Sequence, residues 1–186
     1  NQLERKTNRL ARAYESLGVG QDDFVTIALP NGIEFFKSTI ATWKVGATPQ
    51  PVSARLPKFE RDQIVEVGEP KLITGVADGS HEGHRTLPAG YEPEPAFSDE
   101  PLPEKIASSF KAMTSGGSTG RPKLIVTTSP AVWDIDSDRL HTELQGSMLI
   151  PGPLYHNGPF VWAMSAFFRG NQITVTTKFD AEETLR

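Results

Sequence analysis

Four hydroxyl side chains and three glycines lie together in the segment TSGGSTGRPK, residues 114–123. The hydroxyls belong to Thr114, Ser115, Ser118 and Thr119, and the glycines are Gly116, Gly117 and Gly120. Small residues let several backbone N–H groups converge on an anion, and hydroxyls add further donors. Arg121 and Lys123 supply the positive charge that phosphate oxygens attract. The segment predicts a polyphosphate-binding loop, although an ordinary flexible hairpin could have the same composition.

The residues around Lys123 exclude the two familiar nucleotide-binding motifs. The Walker pattern needs a Gly-Lys-Ser/Thr sequence, whereas Lys123 lies between Pro122 and Leu124. The dinucleotide fingerprint needs a different glycine spacing, and both motifs need a helix after the loop. The β-forming run LIVTT, residues 124–128, follows instead. We therefore expect the loop to join two antiparallel strands.

A second candidate is His156, which lies in PLYHNGPF between a predicted strand and a predicted helix. An imidazole at such an edge could orient a substrate, although a single histidine often has only a structural role. Phe160 and Trp162 could line a pocket beside it or pack in the core. His81 and His84, in the sequence HEGH, could in principle bind a metal, but no third ligand is evident and we predict no metal site.

The elements that must position these residues are predicted to form a parallel α/β sheet. Helical patterns end at Gly18, Gly46 and Gly68, and β-forming runs lie at residues 24–29, 47–52 and 71–74. An alternation of helices and strands is typical of a parallel sheet flanked by helices. Because Pro49 and Pro51 lack an N–H donor, we expect residues 47–52 at a sheet edge or in an irregular connection. In the third helix we expect Phe59, Ile64 and Val67 to face inward.

Residues 75–104 interrupt this order with five prolines and four glycines, so we expect an irregular surface connector. After the hairpin, Ser129 and Pro130 predict the start of a helix through residues 131–140. A strand at residues 147–150, a helix ending at Gly170 and a strand at residues 172–177 complete the pattern.

Composition limits the classes of function. Of 186 residues, 37% are apolar and 23% charged, as in an ordinary globular protein. The formal net charge is −4 and the basic residues are scattered, so no nucleic-acid partner is predicted. There are no cysteines, which excludes disulfides and thiol catalysis. The apolar runs are too short to span a membrane and no signal peptide is evident, so we expect a cytoplasmic protein.

The two ends of the sequence suggest a piece of a longer protein. Residue 1 is Asn rather than Met, and residues 3–17 already show helical spacing. Asp180 and Glu183 form a capping-box pattern, but the chain stops at Arg186, within the helix that they would start. We therefore expect an incomplete domain over residues 1–186.

The segment at residues 114–123 resembles the phosphate-binding signature of the adenylate-forming superfamily of acyl-CoA synthetases, adenylation domains and luciferases. In that superfamily the signature joins two antiparallel strands. This chain has one extra glycine and has Leu124 where the signature ends in glycine. The double glycine is similar to that of bile-acid- or carnitine-type acid:CoA ligases. Residues 29–57 and 153–160 also resemble superfamily segments, and the three occur in the superfamily's order.

The resemblance implies a partial N-terminal domain of a ligase that uses ATP, Mg²⁺ and coenzyme A in fatty acid metabolism. Such a ligase joins a small carboxylic acid to ATP, giving an acyl-adenylate and pyrophosphate, and then forms a thioester. The signature hydroxyls, its glycines and Lys123 would bind the ATP phosphates, and the metal ligand would lie outside this chain. His156 would border the carboxylate, and Phe160 and Trp162 the acyl pocket.

Further expectations and alternatives accompany this resemblance. The isolated chain is expected to be inactive, and a homo-oligomer is possible. The alternatives are an adenylation domain that loads a carrier protein, and a non-catalytic nucleotide-binding or interaction module on the same fold.

Overall fold

The computed structural model describes residues 1–115, 121–136, 140 and 145–185, and the chain divides into two compact units. The first unit comprises residues 1–29 and 33–132. The second comprises residues 30–32 and 133–186.

A four-stranded parallel sheet forms the centre of the first unit. Its strands are β1 (Phe24–Ile27), β2 (Thr48–Pro51), β3 (Leu72–Thr74) and β4 (Arg85–Leu87), in the order β2–β1–β3–β4. The predicted parallel α/β sheet is therefore confirmed. Strand β2 lies at the edge of this sheet, as its two prolines predict, because only an edge position tolerates the missing donors.

Three helices accompany the sheet: α1 (Gln2–Ser16), α2 (Ile33–Lys44) and α3 (Lys58–Gly68). Helix α1 packs against α2, and the Asn1 side chain caps α1 by accepting a 3.0 Å hydrogen bond from the Glu4 amide. Ile64 on α3 faces inward as predicted, but the prediction for Phe59 and Val67 is wrong, since both are exposed. Val65, adjacent to Ile64, completes the buried face and packs with Ile64 against apolar residues of the sheet.

Strand β4 lies within residues 75–104, where the sequence analysis predicted only an irregular connector. Its three residues pair in parallel with β3, so that Leu72 lies opposite Arg85 and Thr74 opposite Leu87. Gly75 begins the connection with φ +85°, and its amide donates to the Leu87 carbonyl at 2.8 Å. This left-handed conformation favours glycine, and it lets the chain turn back to add the fourth strand.

Residues 97–101 have no regular structure, but α1 holds them through its polar side chains. The hydrogen bonds join Arg5 Nε to Asp99 Oδ2 (2.8 Å), Asn8 Nδ2 to Asp99 O (2.9 Å), Arg9 Nε to Phe97 O (2.9 Å), and Arg12 Nη1 to Glu100 O (2.6 Å). The hydrogen bond from Arg5, with the charges of Arg5 and Arg9, lowers the pKa of the Asp99 carboxyl. The connector is thus attached to the first helix at several successive residues.

An antiparallel hairpin of β5 (Ala112–Ser115) and β6 (Lys123–Val126) completes the first unit. Its register places Ala112 opposite Val126 and Ser115 opposite Lys123. The predicted strand after Lys123 is therefore present, and the residues between β5 and β6 are those of the candidate loop.

The second unit contains a parallel strand pair joined by a helix. Strand β7 (Ser147–Ile150) is followed by α4 (Asn157–Phe168) and β8 (Gln172–Val175), and the short α5 (Ala181–Leu185) comes last. Helix α4 packs on both strands.

The helix predicted from Pro130 is absent over residues 131–136. The Ala131 amide donates to the Ala107 carbonyl at 2.9 Å, and the Val132 amide donates to the Pro130 carbonyl at 2.8 Å, which closes a three-residue turn rather than a helical one. In the second unit the Trp133 ring packs on Phe168 at 5.4 Å between ring centroids. Tertiary contacts at Ala131 and Trp133 thus replace the local helix preference.

Among the residues that the structure describes, no helix combines the length and the apolar character that a membrane span would require.

Candidate functional site

The hairpin brings Thr114, Ser115 and Lys123 together at the end of β5 and the start of β6. Ser115 and Lys123 lie directly opposite each other, so their side chains share one face of the hairpin. Thr114 pairs with Leu124 and faces the other side, because successive strand residues alternate. The predicted loop glycines Gly116, Gly117 and Gly120 and the hydroxyls Ser118 and Thr119 lie outside the described residues.

The Thr114 hydroxyl has an unusual environment. Its Oγ1 atom is buried and forms no hydrogen bond with the described residues. A buried hydroxyl without a partner costs roughly 1–3 kcal/mol, so such groups are uncommon in proteins. Thr114 therefore has an unused donor directly before the glycine-rich segment. On the other face, the Ser115 hydroxyl lies beside Lys123, and a hydroxyl with an ammonium group is a set that suits phosphate oxygens.

Lys111 places a second ammonium group on this hairpin. Its Nζ donates to the Thr127 hydroxyl at 3.2 Å, and the Thr127 amide donates to its carbonyl at 3.0 Å. Partial burial lowers the pKa of the Lys111 ammonium. Strand alternation puts Lys111 on the same face as Ser115. The sequence analysis did not consider Lys111 as a site residue.

Side chains from outside the hairpin fix the segment that leads into β5. Three backbone carbonyls at residues 106–110 accept hydrogen bonds from the side chains of Gln21, Trp43 and Thr48. One backbone amide of this segment donates to the side chain of Asp22. The Asp22 carboxylate accepts from both the amide (2.6 Å) and the hydroxyl (3.0 Å) of Ser108, and these bonds lower its pKa. Asp22 has φ +62°, a strained region for a residue other than glycine. Sequence reasoning missed these four residues because their partners are 61 to 86 positions away.

His156 lies at the N-terminus of α4 in the second unit. It is the N-cap residue, with φ −94° and ψ 146°, and its side chain forms no capping hydrogen bond. Its imidazole is exposed and contacts the Tyr155 ring at 4.5 Å between centroids. The ring nitrogens of His156 are therefore not used to cap the helix.

The loop before His156 is held by Asn31, which the sequence analysis did not consider as a site residue. The Asn31 side chain donates from Nδ2 to the carbonyls of Gly152 (3.0 Å) and Thr176 (2.9 Å). Its Oδ1 accepts from the Leu154 amide at 2.8 Å. Asn31 belongs to the second unit, as do its three partners.

Phe160 and Trp162, the two predicted pocket residues, differ in exposure. Phe160 is fully buried, whereas Trp162 is 42% exposed. Trp162 thus has surface available to a ligand, and the pocket role of both residues stays a prediction.

His81 and His84 have structural partners. Arg61 Nε donates to the buried His81 Nε2 at 3.2 Å, and His84 Nδ1 donates to the Pro70 carbonyl at 3.0 Å. Burial and the neighbouring Arg61 charge lower the pKa of His81, which favours the neutral ring that Arg61 requires as an acceptor. The described residues contain no group of three or more His, Asp or Glu side chains placed to hold a metal ion.

The α/β sheet and the antiparallel hairpin have the architecture that the resemblance to adenylate-forming enzymes implies. The chain belongs to the AMP-binding enzyme family, whose match covers residues 1–186.

Individual relatives agree with this family. A long-chain-fatty-acid–CoA ligase of Mycobacterium tuberculosis is 26% identical over 200 residues, which cover 97% of this chain and 40% of the ligase. A dimodular nonribosomal peptide synthase of Bacillus subtilis is 26% identical over 145 residues, covering 70% of this chain and 6% of the synthase.

Solved structures agree with the fold. A fatty acyl CoA synthetase from Mycobacterium tuberculosis superposes with a TM-score of 0.78 and 19% identity, over 99% of this chain and 40% of that one. At this identity the likeness shows the fold alone. The chain spans about two fifths of the length of the ligase and of the synthetase.

Proposed function

We propose that this chain supplies the phosphate-binding hairpin and part of the acyl site of an ATP-dependent acid:CoA ligase. The reaction joins a small carboxylic acid to the α-phosphate of ATP, which releases pyrophosphate and gives an acyl-adenylate. Attack by the thiol of coenzyme A then forms the thioester and releases AMP. The observation that carries this proposal is the unpartnered Thr114 hydroxyl at the start of the family's signature segment.

The hairpin residues act on the β- and γ-phosphates, where negative charge accumulates as pyrophosphate leaves. We assign the phosphate contacts to the hydroxyls of Thr114, Ser115, Ser118 and Thr119, to the backbone amides of Gly116, Gly117 and Gly120, and to the charge of Lys123. Donors fixed before the reaction stabilise this charge without reorganising during it. The side-chain bonds to residues 106–110 would keep β5 in place for this role.

His156 and Trp162 act on the carboxylic acid. The exposed imidazole of His156 orients the carboxylate, and the exposed part of Trp162 contacts the acyl chain. Phe160 supports α4 from its buried side. We infer a small carboxylic acid, such as a fatty acid, as substrate, and a cytoplasmic enzyme.

Magnesium is the expected counterion of the ATP phosphates. Proteins usually bind Mg²⁺ through one or two carboxylates, and residues 112–126 of the hairpin contain no Asp or Glu. We therefore place the metal ligand outside this chain.

Isotope exchange between ATP and pyrophosphate tests this function in the protein that contains this chain. The exchange is measured with a panel of carboxylic acids, in the wild type and in Thr114→Val. Valine has the shape of threonine without its hydroxyl, so we expect an exchange rate lowered about 100-fold. Stability should stay equal or rise by roughly 1 kcal/mol, because an unpartnered buried hydroxyl is removed.

Thr174→Val is the matched control, because Thr174 is exposed on β8 in the second unit. It should leave the exchange rate unchanged. A wild type that exchanges with no acid would refute the ligase, in favour of the non-catalytic module. Exchange that Thr114→Val does not slow would refute the role of the hairpin.

The acceptor of the acyl group separates the two enzymatic alternatives. Similarity to a nonribosomal peptide synthase supports an adenylation domain that loads a carrier protein. Similarity to a CoA ligase over 97% of this chain supports coenzyme A. Measuring acyl transfer to free coenzyme A and to a phosphopantetheinyl carrier in parallel distinguishes them, and we expect the larger rate with coenzyme A.

A further inference from the structure

The Asn31 carboxamide uses both of its polar atoms within the second unit. Its amide hydrogens go to the carbonyls of Gly152 and Thr176, at 3.0 and 2.9 Å, and its carbonyl oxygen accepts from Leu154 at 2.8 Å. These partners are 121 to 145 positions away in sequence. A carboxamide has two donors and an acceptor, and no other side chain of this size can make this set of bonds.

The two carbonyls identify what Asn31 joins. Gly152 lies two residues after the end of β7, and Thr176 directly follows the end of β8. Asn31 therefore connects the carboxyl ends of two parallel strands, the edge where ligands bind in open α/β sheets. The Thr176 hydroxyl adds a bond to the Pro151 carbonyl at 3.1 Å. The start of the loop is thus fixed on both sides.

The third bond leads towards His156. Leu154 is fully buried, and it lies two residues before His156 in the same loop. The His156 amide donates to the Pro153 carbonyl at 3.1 Å, and its carbonyl accepts from Phe160 at 3.0 Å. Fixing the Leu154 amide therefore fixes the backbone that carries the imidazole.

The loop before His156 is restrained by packing at Gly152 and by hydrogen bonds, but not by the His156 side chain. A Cβ at Gly152 would lie 2.7 Å from Pro159 Cγ, so Gly152 already packs closely against the first turn of α4. His156 makes no capping hydrogen bond that could hold its side chain. The three bonds to Asn31, together with the bond from Thr176 to Pro151, therefore hold the loop between α4 and the strand ends.

We propose that Asn31 is a positioning residue that sets the orientation of His156 towards the carboxylic acid. This inference rests on the proposed function for the role of His156, and on the structure for the geometry. Aspartate cannot replace Asn31, because its carboxylate has no donors and would face two carbonyl oxygens. Asn31→Asp should therefore release the loop, although its size is unchanged.

The first experiment does not depend on activity. Hydrogen–deuterium exchange is measured on the peptide that contains Leu154, and selectively labelled imidazole signals report on His156. In Asn31→Asp we expect the Leu154 amide to exchange about tenfold faster, as for the loss of about one hydrogen bond. The His156 ring signal should shift, while the signals of His81 and His84 in the first unit stay in place.

Asn171→Asp is the matched control. Asn171 Nδ2 donates to the Ala166 carbonyl at 3.1 Å, near the other end of α4. The same chemical change there should leave the Leu154 amide and the His156 ring unaffected. If Asn31→Asp does not fold, Asn31→Ser provides the same test, because it is too short to reach the three partners and adds no charge.

The second experiment separates positioning from general stability. In the protein that contains this chain, Asn31→Asp should raise KM for the carboxylic acid about tenfold and change KM for ATP less than about twofold. His156→Ala and the double variant complete a double-mutant cycle. If Asn31 acts through His156, the double variant should be no slower than His156→Ala, so that the two effects do not multiply.

The outcomes distinguish this inference from the proposed function. Unchanged exchange at Leu154 together with an unchanged His156 signal overturns the positioning role, whatever the activity. Independent effects that multiply in the cycle also overturn it. A wild type without ATP–pyrophosphate exchange refutes the ligase and, with it, the role of Asn31 in catalysis. The labelled-histidine result then still decides whether Asn31 orients His156.

Discussion

The indole nitrogen of Trp43 donates a 2.8 Å hydrogen bond to the Phe110 carbonyl, and the two rings stack with centroids 4.8 Å apart. Trp43 lies in the last turn of α2, and Phe110 lies two residues before β5. A single side chain thus joins a helix of the parallel sheet to the strand that enters the candidate phosphate loop. Polar and stacking contacts both contribute to this connection.

Trp43→Phe should remove the hydrogen bond and keep most of the stacking. We expect a loss of about 1 kcal/mol in the free energy of unfolding for this variant, and about 3 kcal/mol or more for Trp43→Ala. Urea unfolding measures both. Trp162→Phe, at an exposed indole, is the control and should change stability by less than about 0.5 kcal/mol. Equal losses in the phenylalanine and alanine variants would contradict the separate role of the ring.

Gly75→Ala should be strongly destabilising. Gly75 has φ +85°, and a Cβ would lie 2.4 Å from the Ala28 carbonyl oxygen, so the substitution adds both strain and a backbone clash. Gly79 has φ +67° with no atom near its Cβ position, so Gly79→Ala adds the strain alone. We expect losses of more than about 3 kcal/mol and of about 1 kcal/mol, respectively. Similar unfolding midpoints for the two variants would show that the contact with Ala28 relaxes.

His81 should make the protein less stable in mild acid. Its folded pKa is lowered by burial and by the Arg61 charge, whereas the unfolded value is about 6.5. Below that pH the unfolded chain takes up a proton more readily than the folded one. The neutral His81 side chain therefore contributes to the free energy of unfolding above about pH 6.5. This contribution is lost as the pH falls through the folded pKa of His81.

His81→Gln should reduce this loss, because glutamine can accept from Arg61 but takes up no proton. The measurement is urea unfolding at several pH values between about 7 and 5. His84→Gln is the control and keeps the titrating group at position 81. If the free energy of unfolding falls by the same amount in His81→Gln and in the wild type as the pH is lowered, groups other than His81 cause the loss.

The arginines of α1 should protect residues 97–101 from proteolysis. Arg9→Ala and Arg12→Ala together remove the hydrogen bonds to the Phe97 and Glu100 carbonyls. Because local opening exposes a chain to cleavage, we expect cleavage after Phe97 by chymotrypsin to be about tenfold faster. Mass spectrometry of the fragments over time measures the rate. Arg55→Ala, at an exposed arginine outside this region, should have no effect.

The sequence predicted most of the first sheet, because its strands are apolar runs bounded by glycine and proline. Even the edge position of β2 followed from Pro49 and Pro51. Strand β4 was not predicted, because Arg85–Leu87 is short and lies in a stretch rich in turn residues. The helix predicted after Pro130 is absent over residues 131–136, where the Ala131 amide binds the Ala107 carbonyl and the Val132 amide binds the Pro130 carbonyl.

The candidate site was likewise predictable from the sequence only in part. The hairpin residues are contiguous in sequence, so their pattern could identify them and their strands. The roles of Asn31 and Trp43 depend on partners 67 to 145 positions away, and no local pattern encodes such contacts. Burial of the Thr114 hydroxyl without a partner likewise depends on packing around the hairpin.

Helix α1 binds residues 97–101 largely through main-chain oxygens, which every amino acid carries. Arg9, Arg12 and Asn8 all donate to carbonyls, and Asp99 alone offers a side-chain acceptor. The side chain of Glu100 can therefore change without loss of these bonds, provided that the path of the chain is kept. We expect related proteins to differ in the amino acids of this segment while keeping its backbone conformation. A search by sequence alone would then not detect the similarity.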